Sequence, residues 1–283
     1  MAWQPCTRSL AGDVAFLPEQ QQQLRDLLHQ TPELIVPQQH ATRWKLALIA
    51  EAVPWLRHYS LSGIWRVLMS LRIHYKRGRH ALHSPDPEYQ QKVLRLEQCI
   101  AEARAHYPEV VLLYLDEMSY YRQPTLASAW WAAGTQQQPL GRLSHRNNSR
   151  YRIVGALDAI SGRVIFVQTY AVVVQQMASF YPQVRQAYPS ARRIYLVQDN
   201  WPVHLHQSVR QAAAETGIEI VQLPTYAPWL NPIEKLWRKL KQEVLHLHRS
   251  SDQWEELRNR VQRFLEGFAE GSAELLRYVG LSR

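Results

Sequence analysis

VVLLYLDE, residues 110–117, and RRIYLVQDN, residues 192–200, decide the fold. Each is an apolar run that closes on an acid. Runs of this length without polar alternation read as strands covered on both faces. Around them, YRIVGALDAISGRVIFVQTY (151–170) reads as two strands about a Ser161-Gly162 turn, and IEIVQLP (218–224) as a short strand. Helical spacing is expected over Met177–Tyr188, over Val203–Thr216 and from Asn231 onward. The order strand, hairpin, helix, strand, helix, strand, helix predicts a mixed α/β sheet with helices packed on it.

In open α/β sheets, sites form beyond the C-terminal ends of the strands. If the two opening runs are parallel neighbours, Asp116 and Asp199 meet there. Two close carboxylates repel, and burial adds to the cost. Such a pair either holds a proton or takes a cation, and hard divalent ions prefer oxygen ligands. A strand-end Asp also serves simply as a turn or cap residue. Glu117 follows Asp116 directly and points to the opposite side of a strand, and Asp158 precedes a turn, so both read as structural.

LPTYAPWLNPIEKLWRKLK (223–241) raises the same choice for Glu234. Asn231, Pro232 and Glu234 suit the N-cap, first and third positions of a helix, with the Glu folded back on the cap amide. Ile233, Leu236, Trp237, Leu240 and Val244 form its apolar stripe. Glu234 can equally join Asp116 and Asp199 as a third carboxylate, a set able to hold two ions about 4 Å apart.

The 283 residues are 46% hydrophobic and 20% charged, a globular composition, with net charge +9 and a pI near 9.7. Between Ala52 and Pro85 there are six basic residues and no acid: Arg57, Arg66, Arg72, Lys76, Arg77 and Arg79. Between Arg142 and Arg193 the only acid is Asp158. This charge suits a polyanionic partner. Helices are expected over Pro18–Gln30, over Thr42–Val53 capped by Thr42, and over Gly63–Leu71 capped by Ser62. The last two resemble a helix-turn-helix. A linker, HALHSPDP (80–87), and a long helix, Pro87–His106, follow. Cys6 and Cys99 offer neither a zinc spacing nor a disulfide framework. The longest uncharged stretch, Val164–Val184, is too rich in Gln for a membrane span. With no apolar signal core at the N-terminus, a cytoplasmic, nucleoid-associated protein is expected.

The pieces LDE (115–117), WAAG (131–134), QDN (198–200) with His204 five places after Asp199, and LPTYAPWLNPIEKLW (223–237) resemble the DDE transposases of the mariner-like superfamily, in particular those of bacterial insertion sequences. Thirty-four residues separate Asp199 from Glu234, a spacing this superfamily favours. The resemblance implies a ribonuclease-H-like fold preceded by a small all-α, winged-helix-like helix-turn-helix domain. It implies Asp116, Asp199 and Glu234 as catalytic, metal-binding residues for two Mg²⁺ or Mn²⁺ ions. Asn200 and His204 border the site. Arg57, Arg66, Arg72, Lys76, Arg77, Arg79, Lys235, Arg238, Lys239 and Lys241 are expected on DNA.

The expected organisation is a DNA-binding domain at 1–80, a linker and connecting helix at 81–108, a catalytic domain at 109–250 and a helical segment at 251–283. The implied reaction is hydrolysis at the element's inverted-repeat ends, then attack of the freed 3′-hydroxyl on TA-containing target DNA by a homodimer or larger synaptic assembly. The rival readings are an idle DNA-binding remnant and a nuclease without strand transfer. Trp201 stands where small residues are common. Only seventeen residues precede the first helix candidate, so a truncated or split-frame product is also expected.

Overall fold

The structure, a computed structural model, describes residues 16–77, 83–134 and 137–282. The chain falls into two units, Met1–His80 and Ala81–Arg283.

In the first unit, the described elements are α1 (Pro18–His29), the short α2 (Pro32–Ile35), α3 (Leu46–Ala52) and α4 (Leu61–Ser70). Leu24, Leu27, Ile49, Val53, Leu56, Ile64, Val67, Leu68 and Leu71 make its core. Proline at position 54 ends α3 and opens a single 3₁₀ turn before α4. Two starts differ from expectation. Lys45, not Thr42, precedes α3, and no side chain caps it. Ser60, not Ser62, caps α4 by accepting from the Gly63 amide at 3.1 Å. A cap must lie outside the first turn with extended backbone, and Ser60 does so at φ −64° and ψ 159°. Arg57, Arg66, Arg72, Lys76 and Arg77 are all exposed. Arg79 and Cys6 lie outside the described residues.

The second unit opens with α5 (Tyr89–His106) and then builds one five-stranded sheet. Its strands are β1 (Val110–Tyr121), β2 (Arg150–Asp158), β3 (Val164–Thr169), β4 (Arg193–Gln198) and β5 (Ile218–Gln222). Their spatial order is β3-β2-β1-β4-β5, with β1–β2 and β2–β3 antiparallel and β1–β4 and β4–β5 parallel. The helices are α6 (Val174–Ala187), α7 (Gln207–Glu215), α8 (Ile233–Leu240), α9 (Trp254–Glu266) and α10 (Ala273–Val279).

The alternation along β1 explains why both faces are apolar. Leu112, Tyr114 and Met118 face a core shared with α5, α8, α9 and α10. Val111, Leu113 and Leu115 face a second core shared with α6 and α7. A strand in this position needs no polar face, hence the unbroken run at 110–115. The connecting helix α5 and the C-terminal helices therefore belong to the sheet's own core: Leu96, Cys99, Leu257, Val261, Leu265 and Leu275 are buried in it.

Asp158 is fully buried at the end of β2 and structural, as its turn position suggests. Its carboxylate accepts from the amides of Ile160 and Ser161 and from the hydroxyls of Tyr107 and Tyr188. Helix α6 starts three residues before the expected Met177, and α5 starts at Tyr89, two residues after Pro87. Helix α7 starts only at Gln207, because His206 supplies the cap by accepting from Ser208 N, so residues 203–206 remain a turn. Among the described residues, no helix is long and apolar enough to cross a membrane.

Candidate active site

Parallel pairing of β1 with β4 runs from Val110↔Arg193 to Tyr114↔Val197. Two residues further along, in the same register, come Asp116 and Asp199. Asp199 thus stands just past the end of β4, whereas β1 does not close on its acid as expected but runs on to Tyr121 along β2, so Asp116 lies where β1 outruns its parallel neighbour.

Glu234 reaches them from the first turn of α8, but not as a cap. Asn231 is 5% exposed, and its Nδ2 donates to the Leu115 carbonyl at 3.1 Å. No side chain caps α8, which begins after Pro232. The expected capping box fails because its Asn is turned inward to hold the loop against β1. That leaves Glu234 exposed. One helical turn on, Trp237 is 1% exposed, and its Nε1 donates to Asp116 Oδ2 at 2.9 Å. Its ring lies over Gly155, the β2 partner of Asp116, where a Cβ would come within 2.6 Å of Cη2. Glycine is needed at position 155 to admit the ring.

The charges in this cluster press on one another. Burial, then the carboxylates of Glu234 and Glu117, push Asp116 up to about 8, against the hydrogen bonds from the Glu117 backbone and Trp237. Burial of its carboxyl raises Glu234; the charge of Asp199 adds to this, while Lys241 and Arg238 oppose it. Burial also works to raise Asp199, but His204 and the Trp201 amide outweigh it and hold this acid below its ordinary value.

His204 bridges Asp199 and Glu117. It is 1% exposed, with Nε2 2.9 Å from Glu117 Oε1 and Nδ1 3.0 Å from Asp199 Oδ1. Burial disfavours its charge, but the bonds to Asp199 and Glu117 prevail and lift it to about 10. Glu117 does point away from Asp116, as alternation requires, yet it joins the site through this ring. Its signal was missed because the contact is made by a residue 87 positions away. The Trp201 amide donates to Asp199 Oδ1 at 3.0 Å, and its ring meets His204 edge-on at 5.6 Å. Asn200 supports the next loop, donating to Leu223 O at 3.1 Å and Thr225 Oγ1 at 3.2 Å.

Of the basic residues expected on DNA, Arg238 and Lys241 lie near enough to Glu234 to influence its charge. Lys235 instead donates to Val279 O at 2.6 Å. Lys239 pairs with Glu243 at 2.5 Å and sits over the Tyr278 ring. Both are turned toward the C-terminal end of the unit.

Among the described residues, no three His, Cys, Asp or Glu side chains are gathered tightly enough to hold a metal ion as they stand. The donor chemistry nonetheless fits a hard divalent cation. Asp116, Asp199 and Glu234 offer only oxygen, and Asp116 and Glu234, raised first by burial and then by neighbouring carboxylates, are acids whose charged forms a cation would favour.

Residues 111–258, just over half of the chain, match the family model of the DDE superfamily endonuclease. The chain belongs to that family. It is 25% identical over 246 residues to the insertion element IS630 uncharacterized 39 kDa protein of Shigella sonnei, covering 86% of this chain and 69% of that one. In structure it is similar to the Mos1 mariner paired end complex with Mn, with a TM-score of 0.63 at 16% identity over 98% of this chain and 78% of the other. A second similar structure is the Mos1 transposase paired-end complex with left transposon end, with a TM-score of 0.62 at 16% identity, covering 95% and 78%. At these identities the likeness shows the fold, a mixed five-stranded sheet with flanking helices and a helical N-terminal region.

Proposed function

We propose that this DDE endonuclease is the DNA transposase of an insertion sequence. It hydrolyses a phosphodiester at the element's ends and transfers the freed 3′-hydroxyl into target DNA. The observation that carries the reading is that Asp116 and Asp199 follow the last paired residues of two adjacent parallel strands, with Glu234 close enough to raise Asp116. The Mos1 complexes of similar fold are transposase assemblies on transposon ends.

In this reading Asp116, Asp199 and Glu234 hold divalent ions, Mg²⁺ or Mn²⁺ and two in number. When bound, such ions activate the attacking oxygen and steady the leaving one. His204 occupies Oδ1 of Asp199 and so fixes how that acid is turned. Trp201 and Glu117 hold His204 in turn. Arg238 and Lys241, beside Glu234, meet backbone phosphates, which position DNA without specifying its sequence. Exposed Arg57, Arg66, Arg72, Lys76 and Arg77 serve the same end in the helical unit. The partners are double-stranded inverted-repeat ends and a TA-containing target, engaged by a homodimer or larger synapse in the nucleoid.

The test is a nicking and joining assay on end-containing oligonucleotides with Mg²⁺, comparing the natural chain with Asp199→Asn. Nicked and joined products that vanish in the variant support the reading. Nicking without joining assigns a nuclease, and no metal-dependent nicking assigns an idle DNA-binding protein.

A further inference from the structure

Trp237 is the most deeply placed indole of the second unit, and its N–H is aimed at a proposed ligand acid. A buried indole N–H needs an acceptor. The fold supplies only Asp116 Oδ2, at 2.9 Å. Three features make this more than a core tryptophan satisfying itself. The donor sits one helical turn from Glu234, so a single helix delivers both a carboxylate and the group that orients another. The ring occupies space cleared by Gly155, the residue paired with Asp116 across the sheet. And the bond spans 121 positions of sequence, tying the helix that carries Glu234 to the strand that carries Asp116.

We propose that Trp237 is a positioning residue for the metal site: its N–H ties Oδ2 of Asp116 and so fixes the turn of the carboxylate that a divalent cation would meet. The proposal rests on the metal-site reading above. Groups that hydrogen-bond a ligand from behind usually change metal affinity by about 10- to 100-fold when removed.

The experiment uses the full chain and measures Mn²⁺ binding by electron paramagnetic resonance, without DNA or turnover. Trp237→Phe removes the N–H and part of the ring. Replacement of Trp237 by benzothienylalanine removes the N–H and keeps the ring's size. Asp116→Asn tests the ligand itself, and thermal midpoints without metal report folding. Both changes at position 237 are expected to weaken Mn²⁺ binding about tenfold, with the benzothienyl protein melting close to the natural chain. If Trp237→Phe is harmful and the benzothienyl protein binds Mn²⁺ normally, Trp237 acts by packing and the proposal is overturned. If Asp116→Asn also leaves Mn²⁺ binding unchanged, the metal-site reading falls, and this inference with it.

Discussion

Asn231 holds Leu115: its side-chain amide donates to the carbonyl of the residue just before Asp116, so the loop that delivers Glu234 is fastened to the strand that delivers Asp116. Two acids 118 positions apart are thereby set by one buried bond. Asn231→Ala is expected to cost about 1–3 kcal/mol, the usual penalty for leaving a buried carbonyl unpaired. Urea denaturation measures this. If the bond also sets the approach of Glu234, Mg²⁺-dependent cleavage falls further than the lost stability accounts for at a temperature where the variant is fully folded.

Gly155 marks the limit of packing at the site. A methyl there meets the Trp237 ring at 2.6 Å, and neither β2, paired on both sides, nor a fully buried ring has room to move freely. Gly155→Ala should destabilise by about 1–3 kcal/mol, the range for overfilled cores. Combining it with Trp237→Phe should recover part of that loss, and a double-mutant cycle in urea reads the coupling. Purely additive losses would show that the two residues do not compete for this space.

His204 keeps a buried acid tolerable. The Glu117 side chain is 9% exposed, and its partner is the His204 ring. Removing one member of a buried pair costs about 3–5 kcal/mol, because the other charge is left behind. His204→Ala should lose about that much. His204→Ala with Glu117→Gln should lose distinctly less, since the stranded charge is gone. Equal losses would show that His204 acts only through its volume or through Asp199.

Asp86 offers a pH test away from the acids. Its carboxylate accepts from Lys92 Nζ at 2.8 Å, Thr225 N at 2.8 Å and Glu88 N at 2.9 Å. The Lys92 bond, then the Thr225 bond, hold it far below the ordinary carboxylate range. A depressed acid contributes stability above its unfolded value near 3.9, and that contribution fades as pH falls toward the folded value. Asp86→Asn should therefore be less stable than the natural chain at neutral pH, and the gap should narrow below about pH 4. Thermal melts across that range decide. A gap independent of pH would mean that shape, not charge, matters at this position.

The sheet was readable because its strands are buried on both faces: 110–117 and 192–200 announce themselves by lacking polar alternation. The hairpin about Gly162 was readable from its turn, and that glycine does adopt φ +72°. Helix starts were less so. Thr42, Ser60 and Ser62 all suit a cap by type, and tertiary packing selects among them. Asn231 misled for the same reason: the residue that would cap an isolated helix is recruited by a strand carbonyl. Glu117 and Trp237 read only as a structural acid and a core ring, and nothing local joined them to the site. Their partners lie 87 and 121 positions away, a pairing no periodicity encodes.

Thr225 is gripped at every polar atom: Asp86 takes its amide proton, Ser84 donates to its carbonyl at 2.6 Å, and Asn200 donates to its hydroxyl oxygen. With Asn231 pinned a few residues on, the segment between them is anchored at both ends. Asp199 is tied at Oδ1 by His204 and the Trp201 amide, so the adjustment that would draw the three acids around an ion falls to torsion of the exposed Glu234 side chain. Capture becomes a matter of one rotamer rather than a hinge.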